Sequence, residues 1–228
     1  MELRDALRTT GAVREFEDAP VDEATVYGLL ETARFAPSGG NRQGWRVVLV
    51  DDPAKKRALR DLYLPGWYEY LAIAGAGLVP FAPVTDRAAE AVAARRAHEV
   101  ERAALEHPGF AEHLDQVPVL LALLVDLREV AALDRDEDGY TFVGGASVYP
   151  FAWSILLAAH DAGLGGVLTT MVRRHHEEVR ALLGADEHLA VAGVLALGRP
   201  RTRATSLRRQ PVESFATIDT VGGAPLTR

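Results

Sequence analysis

The chain has 228 residues, a formal net charge of −7 and no cysteine. That length suits one large domain with a substantial core, and the acidic balance argues against a nucleic-acid partner. The missing cysteine excludes disulfides, thiol nucleophiles and cysteine-ligated metal or iron–sulfur sites.

Taken in order, residues 2–10 read as a short helix with Leu3, Ala6 and Leu7 on one face. A second helix starts behind Asp22, a good N-cap, with Val21 and Val26 placed as a hydrophobic staple. Its stripe is Val26, Leu29, Leu30 and Ala33, and Pro37 stops it. WRVVLV, residues 45–50, reads as a strand buried on both faces. Asp52 caps the next helix, residues 52–63, with Pro53 at its first position. The stretch LPGWYEYLAIAGAGLVPFAPVT reads as mostly irregular with one short helix. Residues 86–107 read as a single charged, alanine-rich helix. VLLALLVDL, residues 119–127, reads as a buried strand. A long apolar helix spans 146–162, with Gly163 at its left-handed cap. GVLTT reads as a short strand or extended loop. HHEEVRALLG is a helix closed by Gly184, and HLAVAGVLALG is the last strong strand. The tail from Arg199 is basic and then strand-like, which suggests an arm. No linker divides the chain, so residues 1–228 form one expected domain. The longest apolar run, Val117 to Val125, is far below the ~20 residues of a membrane helix. MELRDALRTT lacks an apolar signal core. The expectation is a cytoplasmic protein with neither membrane nor nucleic-acid partners.

Metal chemistry finds no spacing to use. His175 and His176 are adjacent and point apart on a helix, and Glu177 and Glu178 suit a solvated helix start. No Gly-x-Ser-x-Gly elbow is present. Gly75 and Gly77 lack the third glycine of a dinucleotide fingerprint. The informative stretch is APSGGNRQGW, residues 36–45. Gly39 and Gly40 let backbone approach a flat ligand, while Ser38, Asn41 and Gln43 offer donors and acceptors. Arginines cluster at both chain ends, Arg8 and Arg14 at one and Arg199 to Arg209 at the other, and a guanidinium fork matches phosphate oxygens.

Four fragments in order resemble the FMN-dependent nitroreductase family. They are TTGAVREF, ARFAPSGGNRQGW, GGASVYPFAWSILLAAHDAGLGGVLTT, and VLALGRP followed by LRRQPVE, and together they cover nearly the whole chain. The resemblance implies a three-layer α+β fold with a central, mostly antiparallel sheet flanked by helices and a C-terminal arm over residues 200–228. It implies a homodimer with FMN at the subunit interface. Ser38, Gly39, Gly40, Asn41 and Gln43 would lie along the flavin. Leu168, Thr169 and Thr170 would offer backbone groups to its reactive edge. Arg14 and Arg209 would bind its charged or electron-rich parts. The implied activity takes hydride from NADH or NADPH and reduces a nitroaromatic, a quinone or a related small acceptor. The alternatives are an oxidase or dehydrogenase of a small metabolite, or a flavin-poor binding relative. No catalytic side chain and no metal are implied, because the cofactor carries the chemistry. Three departures stand out. Gly44 replaces the usual proline, Thr10, Gly11 and Ala12 replace a more basic motif, and Trp153-Ser154 replaces Gln-Asn.

Overall fold

The apolar run after Val117 forms a strand, β2 (Val119–Asp126), that is buried at every position. A computed structural model describes residues 1–228. Three further strands join β2 in one antiparallel sheet: β1 (Trp45–Val50), β3 (Gly165–Thr169) and β4 (Leu189–Gly198), in the order β1-β2-β4-β3. Seven helices surround it: α1 (Leu3–Thr9), α2 (Glu23–Ala33), α3 (Pro53–Gly75), α4 (Arg87–Ala94), α5 (Ala97–Glu106), α6 (Tyr149–Asp161) and α7 (His176–Leu183).

Successive strand residues face opposite ways, and this alternation sorts the core into two halves. Leu121 and Leu123 join Leu195 and Leu197 under α2 and α6. Leu120, Ala122 and Leu124 join Val194 and Ala196 under α3 and α7. The sheet is thus covered on both faces, which makes three layers, as the resemblance implied. Full burial of each of these leucines contributes about 1.5–3 kcal/mol. The β2–β4 register slips between Leu123 and Leu124, where Gly193 pairs with Leu123 and Val191 with Leu124. Ala192 is the extra residue of a β-bulge, and the bulge exchanges the faces on which β4 residues lie.

The caps behave as their residue types require. Asp22 accepts from the Thr25 amide at 2.6 Å, and Asp52 from the amides of Ala54 and Lys55 at 2.7 and 3.1 Å. Gly163 and Gly184 follow α6 and α7 at φ 81° and 68°. No helix is long and apolar enough to cross a membrane.

Three expectations fail. The stretch after Tyr63 is not irregular, because α3 continues through Pro65 to Gly75. Its inner side, with Tyr63, Tyr68, Ala72 and Ile73, is buried, and that burial outweighs the lost hydrogen bond at Pro65. The alanine-rich helix is two helices. The break falls at Arg96, which leaves helical geometry (φ −85°, ψ 3°) and binds Glu99 with its guanidinium at 2.9 Å. β1 is not buried on both faces, because it is an edge strand with Arg46 and Leu49 exposed and only Val50 fully buried. Within one chain the strand-like tail pairs with itself. It closes on itself through a Thr217–Pro225 bridge and the bonds Ile218 N to Ala224 O and Leu226 N to Ala216 O, both 2.9 Å.

Candidate functional site

The polar loop between α2 and β1 is locally strained. Gly40, Asn41 and Gln43 all take positive φ, at 61°, 55° and 54°. Glycine adopts this region freely, whereas a residue such as glutamine does so at a cost of about 1–3 kcal/mol. Hydrogen bonds hold the shape. The Gln43 amide donates to Ser38 Oγ at 3.0 Å, and the Gln43 side chain donates to Asn41 O and Oδ1 at 3.3 and 3.2 Å. From across the fold, Ser147 Oγ accepts from the Gly39 amide at 3.0 Å. Residues 39–43 remain exposed.

Gly44 ends the loop, and its departure from the family pattern has a steric reason. A Cβ there would stand 2.8 Å from Glu129 Cβ, because the turn after β2 packs on it. The Asp126 amide also donates to Gly44 O at 2.8 Å. Beyond it, Trp45 stacks on Phe151 of α6, with centroids 4.5 Å apart and planes 6° from parallel. The loop is therefore pinned to α6, to the turn before it and to the end of β2.

Leu168, Thr169 and Thr170 form a second group at the end of β3, and Arg14 follows the residue that is tied to the start of that strand. Residues 13–17 are laced to the sheet by Val13 N to Gly166 O, Glu17 N to Arg199 O and Arg201 N to Glu15 O, at 2.9, 2.8 and 3.0 Å. Thr169 Oγ1 donates to the Tyr63 hydroxyl at 3.4 Å. Tyr63 is 2 % exposed. Burial pushes its phenol pKa up, while the Thr169 hydrogen bond and the Arg14 guanidinium pull it down. The bulge on β4 sits against this group. A Cβ on Gly193 would meet Thr169 O at 2.7 Å, so the glycine lets the end of β3 lie close. Leu168 is half-buried against the core, and Thr170 is exposed where β3 turns into Met171–His175.

No hydrogen bond joins these two groups within one chain. Arg209 belongs to neither. Its exposed guanidinium donates to the carbonyl of Arg208 at 2.7 Å. Arg203 instead donates to Gly163 O and lines a cleft of about 420 Å³ with Arg14, His160 and residues 9–15. His160 Nε2 lies 2.9 Å from Thr9 Oγ1, and burial, then Arg203, lowers its pKa.

Tyr63 and Ser147 are site residues that sequence reasoning missed. Tyr63 lies four residues after Leu59 on the buried side of α3, a helical spacing that signals core packing and not a site. Ser147 carries no spacing signal and is found only through its contact. The site thus offers exposed hydrogen-bonding groups, a strained glycine loop and a guanidinium near a buried phenol.

The family model described as "Nitroreductase family" matches residues 7–199. A protein named NADH dehydrogenase from Thermus thermophilus is 30 % identical over 213 residues, covering 93 % of this chain and 94 % of that protein. In three dimensions, a BluB-like flavoprotein from Clostridium difficile 630 superposes with a TM-score of 0.68 at 20 % identity, covering 96 % of this chain and 100 % of the other. The NADPH:FMN oxidoreductase from Vibrio harveyi, complexed with NAD+, gives a TM-score of 0.63 at 20 % identity, covering 95 % of this chain and 76 % of that one. The two structural likenesses show the shared fold.

Proposed function

The chain belongs to the nitroreductase family, and from that membership we propose that it is an FMN-dependent enzyme moving electrons from NADH or NADPH to a small nitroaromatic, quinone or related acceptor. The family supports a flavin-dependent oxidoreductase. FMN, the nicotinamide donor and the acceptor class are the finer proposal. One observation carries it: an exposed polar loop, Ser38 to Gln43, held with three positive φ values. Strain of this kind persists where surrounding contacts enforce it, and it collects at ligand sites.

The residues present fit the cofactor. Ser38, Gly39, Gly40, Asn41 and Gln43 would hold the flat ring system, with glycine backbone close to it and amide groups meeting its heteroatoms. Leu168, Thr169 and Thr170 would present backbone groups to the reactive edge. When bound, FMN supplies hydride uptake from the nicotinamide and electron delivery to the acceptor. Arg14 contributes a fixed positive charge. Its influence on Tyr63, itself bonded to Thr169, supports a place near that edge, where reduction gathers negative charge. Arg209 is proposed for the phosphate, because Arg203 is committed to Gly163 O. Loop and edge group are unconnected within one chain, which supports a site shared between two copies.

The test is direct. Purified protein should be yellow, and denaturation should release a flavin that chromatographs as FMN. A colourless protein that cannot be reconstituted with FMN would sink the proposal.

A further inference from the structure

The segment Leu133–Tyr140, LDRDEDGY, lies between β2 and α6, outside the proposed flavin site. Its acids fall at alternate positions: Asp134, Asp136 and Asp138, followed directly by Gly139. In a calcium loop the first, third and fifth residues supply carboxylates, the sixth is glycine for a sharp turn, and the seventh gives its carbonyl. Gly139 has φ 124°, a conformation that other residues rarely adopt. The seventh position is Tyr140. The twelfth, where such loops carry a bidentate glutamate, is Gly145 here, so fewer ligands are available.

A second observation points to a missing partner. Asp134 is only 8 % exposed, and its Oδ1 is shielded from solvent with no hydrogen-bond partner. Buried charges are normally paired or bound to metal. Asp136 and Asp138 are exposed, and Asp136 reaches only Arg135 at 3.4 Å. No three acidic or histidine side chains already stand together to hold an ion, so the loop would have to close around its cation. Metal binding and local folding are often coupled in this way.

We propose that residues 134–140 bind one hard divalent cation of the calcium class through the carboxylates of Asp134, Asp136 and Asp138 and the Tyr140 carbonyl, with water completing the shell. The ion would order the segment leading into Val143–Ser147. Ser147 accepts from the Gly39 amide, so that order reaches the strained loop. Tyr140 adds a second anchor, since its hydroxyl accepts from Arg87 of α4 at 2.7 Å. With the twelfth ligand absent, the Kd should fall near 10⁻⁴–10⁻³ M, about the weak end for such loops.

Terbium titration of the full chain tests this, because Tyr140 would sensitise the luminescence of an ion bound beside it. We expect saturation at one ion per chain and displacement by Ca²⁺ in preference to Mg²⁺. The double variant Asp136→Asn/Asp138→Asn should weaken binding by about tenfold or more, the smallest loss that outer-shell partners alone cause. Asp134→Asn removes a buried unpaired charge. In chelator it should melt no earlier than the unaltered chain, and it should lose any Ca²⁺-dependent rise in Tm. Two results would overturn the proposal. One is no luminescence and no Tm change up to about 10 mM Ca²⁺, above the weak end of the range. The other is binding undiminished in the double variant while its circular dichroism shows an intact fold.

Discussion

Arg14 is the one charged side chain of the proposed site whose influence on a neighbour is visible, through the phenol of Tyr63. If the flavin edge lies at Thr169, that guanidinium favours the reduced, more negative cofactor. Arg14→Gln should therefore lower the two-electron midpoint potential of the bound flavin. About 30–60 mV is expected, equivalent to roughly 1.4–2.8 kcal/mol of lost stabilisation. Arg14→Lys keeps the charge and should recover most of the shift. Spectroelectrochemical titration of the three proteins reads this directly. A potential unmoved by Arg14→Gln would place the residue away from the edge. At Gly44 the family's proline would put a Cβ where Glu129 stands, so the departure follows from the local turn.

At the scale of elements, α3 carries the sharpest conflict between local preference and packing. Pro65 lies inside it, exposed, where a proline costs about 3 kcal/mol relative to alanine. Its stiffening of the unfolded chain returns only about 0.4–1 kcal/mol. The first figure wins, so Pro65→Ala should stabilise the protein by about 1 kcal/mol or more, read from chemical denaturation at constant m. A loss of stability would mean that the proline ring serves a contact or bend that the helix needs. This conflict also explains what could be read from sequence. WRVVLV and VLLALLVD were legible as strands because short apolar runs between turn residues suit strands, but burial on both faces held only for β2, since β1 lies at the sheet edge. The caps at Asp22 and Asp52 were legible because they are local chemistry. The second half of α3 was not, since Pro65, Gly66 and Gly75 signal a break while the burial that overrides them, at Tyr68, Ala72 and Ile73, depends on tertiary packing. The polar loop announced itself by composition, but its positive φ at Asn41 and Gln43 did not. Tyr63 and Ser147 entered the site only through tertiary contacts, and the bulge at Ala192 was marked only by the lone Gly193 inside the strand.

For the whole molecule, the question is what completes the site. One chain ties the Ser38–Gln43 loop to Ser147 and, through Trp45, to Phe151 of α6, and it ties Thr169 to Tyr63 of α3, with no hydrogen bond between the two. A helix that is apolar around most of its circumference must be covered on more than one side. On α6, Phe151, Ala152, Ile155 and Ala159 are buried, whereas Tyr149 and Trp153 remain 44 % and 40 % exposed. Phe35 and Phe142 are 76 % and 80 % exposed, and in the tail Phe215 is 68 % exposed. A second copy would cover these groups and bring one chain's loop to the other chain's edge. We expect an obligate homodimer whose interface buries on the order of 2,000–5,000 Å² or more. Within one chain the tail closes on itself as a compact loop and leaves Phe215 and Ile218 exposed. Folding, dimerisation and flavin retention should then be linked by mass action. The measurement is sedimentation velocity with detection at protein and flavin wavelengths, on the full chain and on one ending before Ser214. The full chain should sediment as a flavin-bearing dimer, and the shortened chain should lose dimer and flavin together. A full-length monomer that keeps its flavin at micromolar concentration would refute the shared site, because all the cofactor contacts would then come from a single chain.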